Sequence, residues 1–225
     1  FGDPLFNKIE IKKLLNKESI NNLSSKIDLN KVYTSKKLYV TSNPETVYLS
    51  VVDKDLNAVS FINSICHSFG SCITSKETGI LFQNRGVNFR LEDSHPNSIE
   101  GGKRPLHTII PGLVTNENNE TVLCYGVMGG QYQPIGQTHV LQNIIDYNLS
   151  VQKALDFPRT FALDNVLKVE KSLNTEVIQK LQSLGHTISI EKNAIGGGQC
   201  IKIDRKNGIL VGGSDPRKDG MAIGY

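Results

Sequence analysis

The sequence predicts an α+β protein built on antiparallel sheet, and three observations predict it. A β-branched and aromatic run at residues 46–53 is answered, after a polar turn, by a second at 58–63. Apolar residues then switch to helical spacing between 140 and 184. Strand patterns return from 187 to 212. Strands, then helices, then strands is the order of an α+β fold rather than of alternating βαβ units.

Taken in order, residues 7–29 carry Ile11, Leu14, Leu15, Leu23 and Ile27 at near-helical spacing and read as helix. Residues 33–45 are polar, with Pro44 forcing an extended residue before it, and read as an exposed linker. The character changes at Thr46, where the hairpin begins about Lys54-Asp55-Leu56-Asn57. Residues 79–83, 109–115 and 121–125 are further strands, the last two joined by the polar loop 116–120. Val140, Leu141, Ile144, Ile145 and Leu149 form the stripe of a helix. Ser150 caps a second, Val151–Asp156, which Pro158 helps to end. A third covers 174–184, with Val177, Ile178, Leu181 and Leu184 inward and Gly185 as its stop. Residues 187–191, 200–204 and 209–212 are the closing strands.

At 225 residues the chain holds one large domain or two small ones, and its boundary is placed at 45/46. Composition narrows the function. Net charge is +3, all of it in residues 1–45, where eight lysines face five acids; the remainder carries seventeen of each sign. A neutral body without Trp and without a basic stripe is a poor nucleic-acid binder, and no nucleic-acid partner is expected. No apolar run is long enough to span a membrane, and none is expected as a partner. No signal segment opens the chain, which favours a cytoplasmic setting; Phe1 in place of Met reads as a processed chain or fragment. Cys66, Cys72, Cys124 and Cys200 are scattered without a Cys-x-x-Cys, and the histidines lack ligand spacing, so neither a metal nor another cofactor is expected.

Two features carry chemistry. Gly129-Gly130 follows a strand and precedes a helix, where successive backbone N–H groups form an oxyanion hole; the plainer reading is a tight turn. Gly196-Gly197-Gly198 and Gly212-Gly213 read as turns, and no phosphate-loop pattern is present. Thr46 stands where a polar linker meets a strand of buried type. Cleavage of Glu45–Thr46 there would give Thr46 a free α-amine, with a pKa near 8, beside its hydroxyl, so that one residue supplies base and nucleophile. A threonine opening a strand is also ordinary.

The run Thr46-Val47-Tyr48-Leu49-Ser50-Val51-Val52-Asp53-Lys54-Asp55 resembles the start of the small subunit of the γ-glutamyltranspeptidase family. The likeness continues through Phe69-Gly70-Ser71, Thr78-Gly79-Ile80-Leu81, Gly102-Lys103-Arg104-Pro105, Gly129-Gly130, Pro158-Arg159, Val169-Glu170 and Ser214-Asp215-Pro216-Arg217. Gly2-Asp3-Pro4 and the helix after it resemble the tail of the large subunit. The resemblance implies an N-terminal nucleophile hydrolase with an αββα sandwich, only part of it supplied by this chain. Residues 1–45 would be the large-subunit tail with its linker and 46–225 the small-subunit catalytic domain. The partners implied are the large-subunit polypeptide of the same precursor and a small-molecule amide substrate.

By the same resemblance Thr46 falls on the nucleophile, Ser64 on a neighbouring hydroxyl, and Gly129 and Gly130 on the oxyanion-hole glycines. The substrate pocket departs from the pattern. Cys66, Arg85 and Asn88 stand where the family holds a substrate ammonium with Asn, with Gln or Glu, and with Asp; His107-Thr108 replace a Ser-Ser pair that binds its carboxylate. These changes shift the pocket towards positive charge and favour a carboxylate. Arg85 either faces Thr46 or turns away to a surface acid such as Glu92 or Asp93. The pattern is similar to the branch with cephalosporin-acylase-like and oxamate-amidohydrolase-like proteins. The function implied is an autoprocessing amidohydrolase or acyltransferase acting on γ-glutamyl amides such as glutathione. The alternatives are hydrolysis of another acidic acyl amide, of glutaryl or oxamate type, and a non-catalytic small-subunit remnant.

Overall fold

A computed structural model describes residues 2–34 and 44–225. The linker expected over 33–45 lies largely outside the described residues. The hairpin expected at 46–63 is present: β1 (Pro44–Val52) pairs antiparallel with β2 (Ala58–His67). Its turn is tied by Asp53, whose Oδ1 accepts the N–H groups of Asp55 and Asn57 and whose Oδ2 accepts the Asn57 side-chain amide, at 2.9 Å each. Alternation along β1 turns Tyr48 inward, 5% exposed, and leaves Val47, Leu49 and Val51 outward.

A second sheet runs β3 (Gly112–Thr115), β4 (Thr121–Met128), β8 (Gly197–Asp204), β9 (Ile209–Ser214), antiparallel throughout. β4 is covered on both faces, which is why its sequence reads as a nearly continuous apolar run. Leu123, Tyr125 and Val127 pack with Val140, Ile144, Val151 and Leu155, from helices α3 (Gln133–Ile145) and α4 (Val151–Asp156). On the other face Cys124 and Gly126 meet the hairpin. The Cys124 thiol donates to the Val59 carbonyl at 3.0 Å, and the Tyr48 hydroxyl lies 2.7 Å from Ser60 Oγ. Burial pushes both the Tyr48 phenol and the Cys124 thiol up from their ordinary pKa values. A Cβ at Gly126 would collide with the Tyr48 ring, so glycine there lets the two sheets approach.

The stack is therefore helix, sheet, sheet, three layers of an αββα arrangement. The hairpin's outer face is open: Val47 is 70% exposed, Leu49 48%, Val51 46%, Val59 50% and Phe61 49%. Register places Leu49 opposite Phe61 and Val51 opposite Val59, so these side chains form one apolar strip.

Several expectations are corrected. The helix read over 7–29 is two short ones, α1 (Ile11–Leu14) and α2 (Lys17–Ser24). Asn16 breaks the run because its side chain accepts the Ser19 N–H at 2.7 Å and caps a new helix. Residues 79–83 form no strand; only Thr74 and Leu81 bridge, since Gly79 sits in a positive-φ turn. The strand read from 109 begins at Gly112, and that read from 200 begins at Gly197. Two strands went unforeseen, β5 (Thr160–Leu163) and β6 (Val166–Glu170), joined at Asp164-Asn165, both with positive φ, as a two-residue hairpin demands. β6 then pairs in parallel with β7 (Thr187–Glu191) across helix α5 (Thr175–Ser183), a βαβ unit, whereas the other described strand pairs are antiparallel.

Candidate active site

Thr46 lies in β1 on the same side as Tyr48 and is half-buried. The ladder breaks around it. Glu45 faces Cys66 and Val47 faces Asn63, so Thr46 alone opposes the pair Ser64-Ile65. An extra residue on one strand bends it and re-aims its side chains, a device common beside active sites. Cys66, buried and at φ +79°, carries the strain of this irregularity.

Ser64 is held from two sides. Its Oγ accepts the Cys66 N–H at 3.1 Å and Arg85 Nη2 at 2.9 Å; the same Nη2 reaches the Ser64 carbonyl at 3.3 Å. A hydroxyl that accepts two N–H groups has its remaining capacity as a donor. Arg85 opens a 3-10 turn, Arg85–Asn88, and is half-buried. It does not turn away to Glu92 or Asp93, and among the described side chains no carboxylate pairs with it.

Asn88 ends that turn, and its Nδ2 donates to the Leu106 carbonyl at 2.8 Å, which brings the turn against the segment carrying His107 and Thr108. His107 is exposed, with Nδ1 accepting the Ile109 N–H at 3.2 Å; Thr108 is half-buried.

Gly129 and Gly130 follow β4 at φ +130° and +59°, values that favour glycine. Tyr132 N–H closes the turn onto the Gly129 carbonyl at 3.1 Å, and the 3-10 turn Gly130–Tyr132 runs straight into α3. The first turn of α3 has no acidic residue, so the positive end of a 13-residue helix lies beside the glycines. β1 packs on β4 and on this turn. The contacts between layers run antiparallel: Val59, opposite Val51, meets Cys124, and Tyr48 meets Gly126. Thr46 lies two residues further along β1, the strand that also contacts the Gly130–Tyr132 turn. Thr46, Ser64, Cys66 and Arg85 are thus gathered on the hairpin and the turn beyond it, with the glycine turn across the sandwich.

Sequence reasoning missed the residues that fasten this arrangement. Asn84 Nδ2 lies 2.9 Å from His67 Nδ1, its Oδ1 accepts the His67 N–H at 3.1 Å, and its own N–H donates to the Ile65 carbonyl. It pins the segment bearing Arg85 to β2. Asn97, 2% exposed, bonds the Asn88 carbonyl at 2.6 Å and accepts the Leu106 N–H at 3.0 Å. Neither shows a motif; what marks them is the set of bonds their side chains make, and for Asn97 its burial. Among the described residues no His, Cys, Asp or Glu group is placed to hold a metal. A shallow recess of about 430 Å³ along α3, lined by Pro134, Thr138, His139 and Thr160, lies on the helical side and away from Thr46.

The family model described as gamma-glutamyltranspeptidase matches residues 1–225. The glutathione hydrolase-like YwrD proenzyme of Bacillus subtilis is 36% identical over 231 residues, 99% of this chain and 43% of its own length. The oxamate amidohydrolase proenzyme of Klebsiella pneumoniae is 33% identical over 240 residues, with the same two coverages. Cephalosporin acylase from Bacillus halodurans superposes with TM-score 0.89 at 37% identity, over 100% of this chain and 42% of that one. Gamma-glutamyltranspeptidase from Pseudomonas nitroreducens, complexed with L-DON, gives 0.72 at 28% identity, over 79% of this chain and 98% of that one. This chain therefore spans well under half the length of the curated relatives it matches. With its matched length, its layered fold and the hairpin-borne threonine, the chain belongs to the gamma-glutamyltranspeptidase family.

Proposed function

We propose that this chain is the nucleophile-bearing part of an autoprocessing amidohydrolase or acyltransferase. The carrying observation is Thr46 at the broken register of β1, the strand that packs on β4 and on the turn after Gly129. In self-cleavage Thr46 Oγ1 attacks the Glu45 carbonyl carbon, the C–N bond gives way to an ester, and water hydrolyses the ester. Glu45 leaves as a carboxylate and Thr46 gains its α-amine. In turnover that amine takes the hydroxyl proton as Oγ1 attacks the substrate amide, and the backbone N–H groups at Gly129-Gly130 stabilise the oxyanion. The leaving amine departs with the proton, and water or an acceptor amine releases the acyl group.

The substrate proposed first is a γ-glutamyl amide such as glutathione, in keeping with the glutathione hydrolase-like name of the Bacillus relative. The second reading, an acidic acyl amide without an α-amine, is favoured by one observation. Arg85 lies on Ser64 without a carboxylate partner among the described side chains, a cation where an ammonium would be repelled and a carboxylate bound. The rest of the precursor is the proposed partner, covering the apolar strip of the hairpin. A solved relative matched over 98% of its length covers 79% of this chain, about the share occupied by residues 46–225, which supports a division at 45/46.

Intact mass and N-terminal sequencing of the full-length protein test the reading. A new terminus at Thr46, together with hydrolysis of a γ-glutamyl, glutaryl or oxamate amide, supports it. An uncut, inactive chain favours the non-catalytic remnant.

A further inference from the structure

Three buried charges and the half-buried Arg217 lie behind the glycine turn. Arg159 is 1% exposed, Asp215 1% and Glu170 7%, with Arg217 alongside. Arg159 Nη2 meets Asp215 Oδ2 at 2.5 Å; Arg217 Nε and Nη2 meet Glu170 Oε1 and Oε2 at 2.6 Å each; Arg217 Nη1 meets Asp215 Oδ1 at 3.1 Å. Two cations and two anions cancel. Burial alone would raise the Glu170 carboxyl, but the Arg217 fork and two backbone N–H groups outweigh it and hold the pKa below its ordinary value.

Stability does not account for such a cluster, because well-packed apolar side chains often do as well. What apolar side chains do not supply is attachment to backbone: Arg217 donates to the Leu155 and Phe157 carbonyls at 2.7 and 2.9 Å, and the other three side chains converge on one further segment. Glu170 Oε1 accepts the Ile195 N–H at 3.2 Å, Arg159 Nη1 donates to the Ile195 carbonyl at 2.9 Å, and Asp215 Oδ2 accepts the Gly198 N–H at 2.8 Å. The loop is fastened at both ends. Between them Gly196, at φ +68°, sits against the turn. A Cβ on Gly129 would lie 3.0 Å from Gly196 Cα; a Cβ on Gly196 would lie 2.5 Å from the Met128 carbonyl oxygen and 2.7 Å from the Tyr132 ring. Tyr132 closes the glycine turn, and the Arg159 guanidinium stands 5.9 Å above its ring.

We infer that Arg159, Glu170, Asp215 and Arg217 are positioning residues: they hold Ile195–Gly198 as a rigid backstop that fixes the direction of the N–H groups at Gly129-Gly130. None of the four needs to approach the substrate. The inference rests on the oxyanion role proposed above for that turn. Misdirected N–H groups weaken binding of the tetrahedral oxyanion but not of the planar amide, so the damage falls on kcat and spares KM.

The test uses the full-length protein, with rates expressed per mole of chain cut at Glu45–Thr46. Asp215→Asn removes the charge between the two arginines, and Gly196→Ala pushes on the Met128 carbonyl and the Tyr132 ring while keeping all four network side chains. Both are expected to lower kcat roughly 10- to 100-fold with KM changed less than about threefold. Both are also expected to weaken inhibition by a substrate-like boronic acid, a tetrahedral anion mimic, by the same factor. Where Asp215→Asn does not fold, Arg217→Lys, which keeps the charge but loses the fork, is read in the same way. A folded Asp215 or Arg217 variant with unchanged kcat and boronate affinity, beside an impaired Gly196→Ala, overturns the positioning role and leaves the oxyanion turn standing. Unchanged kcat in Gly196→Ala as well, in an enzyme that Thr46→Ala inactivates, removes the turn's role and the inference with it. Activity surviving Thr46→Ala refutes the proposed function itself.

Discussion

Arg85 donates through Nη2 to the Ser64 hydroxyl at 2.9 Å, directly across the hairpin from Thr46, and no described carboxylate answers its charge. Half-buried cations usually have a counter-ion, because desolvating a lone charge is costly. Here the hydroxyl and carbonyl of Ser64 take one edge of the guanidinium. The arrangement suits a substrate carboxylate as the partner.

That relationship sets the first prediction. If Arg85 receives a substrate carboxylate, losing the charge-assisted contact costs roughly 2–3 kcal/mol, about 30- to 150-fold in kcat/KM. Arg85→Gln should therefore depress hydrolysis of glutaryl- or oxamate-type amides by that factor and leave γ-glutamyl hydrolysis unchanged or improved. Parallel kinetics on both substrate classes decide it. An equal loss on both makes Arg85 a support for Ser64 only.

Thr46→Ala should abolish cleavage at Glu45–Thr46 and all turnover, since the hydroxyl carries both steps. Thr46→Ser should keep a fraction of each. Mass spectrometry reads the first step and a colorimetric amide assay the second. An Ala variant that is still cut would place the nucleophile elsewhere.

Gly126→Ala puts a methyl into the Tyr48 ring and pushes the hairpin away from β4. Overpacking of this kind costs about 1–3 kcal/mol. The denaturant midpoint should fall accordingly, and activity per cut chain should fall too, because the same displacement carries Thr46 from the glycine turn. Tyr48→Phe adds no atoms and breaks the bond to Ser60 Oγ and the longer one, 3.6 Å, to Cys124 Sγ, so its cost should be nearer 1 kcal/mol. Equal stability of Gly126→Ala and the parent would show that the layers have slack at this contact.

Asp3 clamps the segment before the junction to the body. Its carboxylate accepts Arg104 N–H at 2.9 Å, Nε at 3.1 Å and Nη2 at 3.2 Å, and the Leu5 N–H at 3.0 Å. The Arg104 side-chain bonds first, and then the backbone N–H groups, hold its pKa well below the ordinary carboxylate value. A carboxyl depressed on folding stabilises the protein above its unfolded pKa, about 3.9, and the contribution is lost as pH falls from there through the native value. Asp3→Asn should thus lower the melting midpoint at pH 7 and narrow its gap to the parent as pH drops below about 4. A gap that stays constant down to pH 2 would contradict the clamp.

Residues 46–63 determined their own structure, because a period-two pattern about an Asp53-tied turn leaves one register that buries Tyr48. The same holds for Val151–Asp156, whose cap and stop are both local. Thr46 stood out in the sequence for a similar reason: the change from polar linker to strand is written in neighbouring residues. At Asn16 the helical pattern was broken by a side chain that bonds backbone, and over 160–170 two short strands formed about the positive-φ turn Asp164-Asn165. The tertiary structure alone decided the rest. Arg85 reaches Ser64 across 21 positions, Asp3 reaches Arg104 across 101, and Arg159 and Asp215 meet across 56. No periodicity encodes such pairings, since each partner reads as an ordinary surface charge or polar residue until the fold buries it. The break of register at Thr46 is of the same kind: it exists only between two strands, where Ser64-Ile65 faces one residue instead of two.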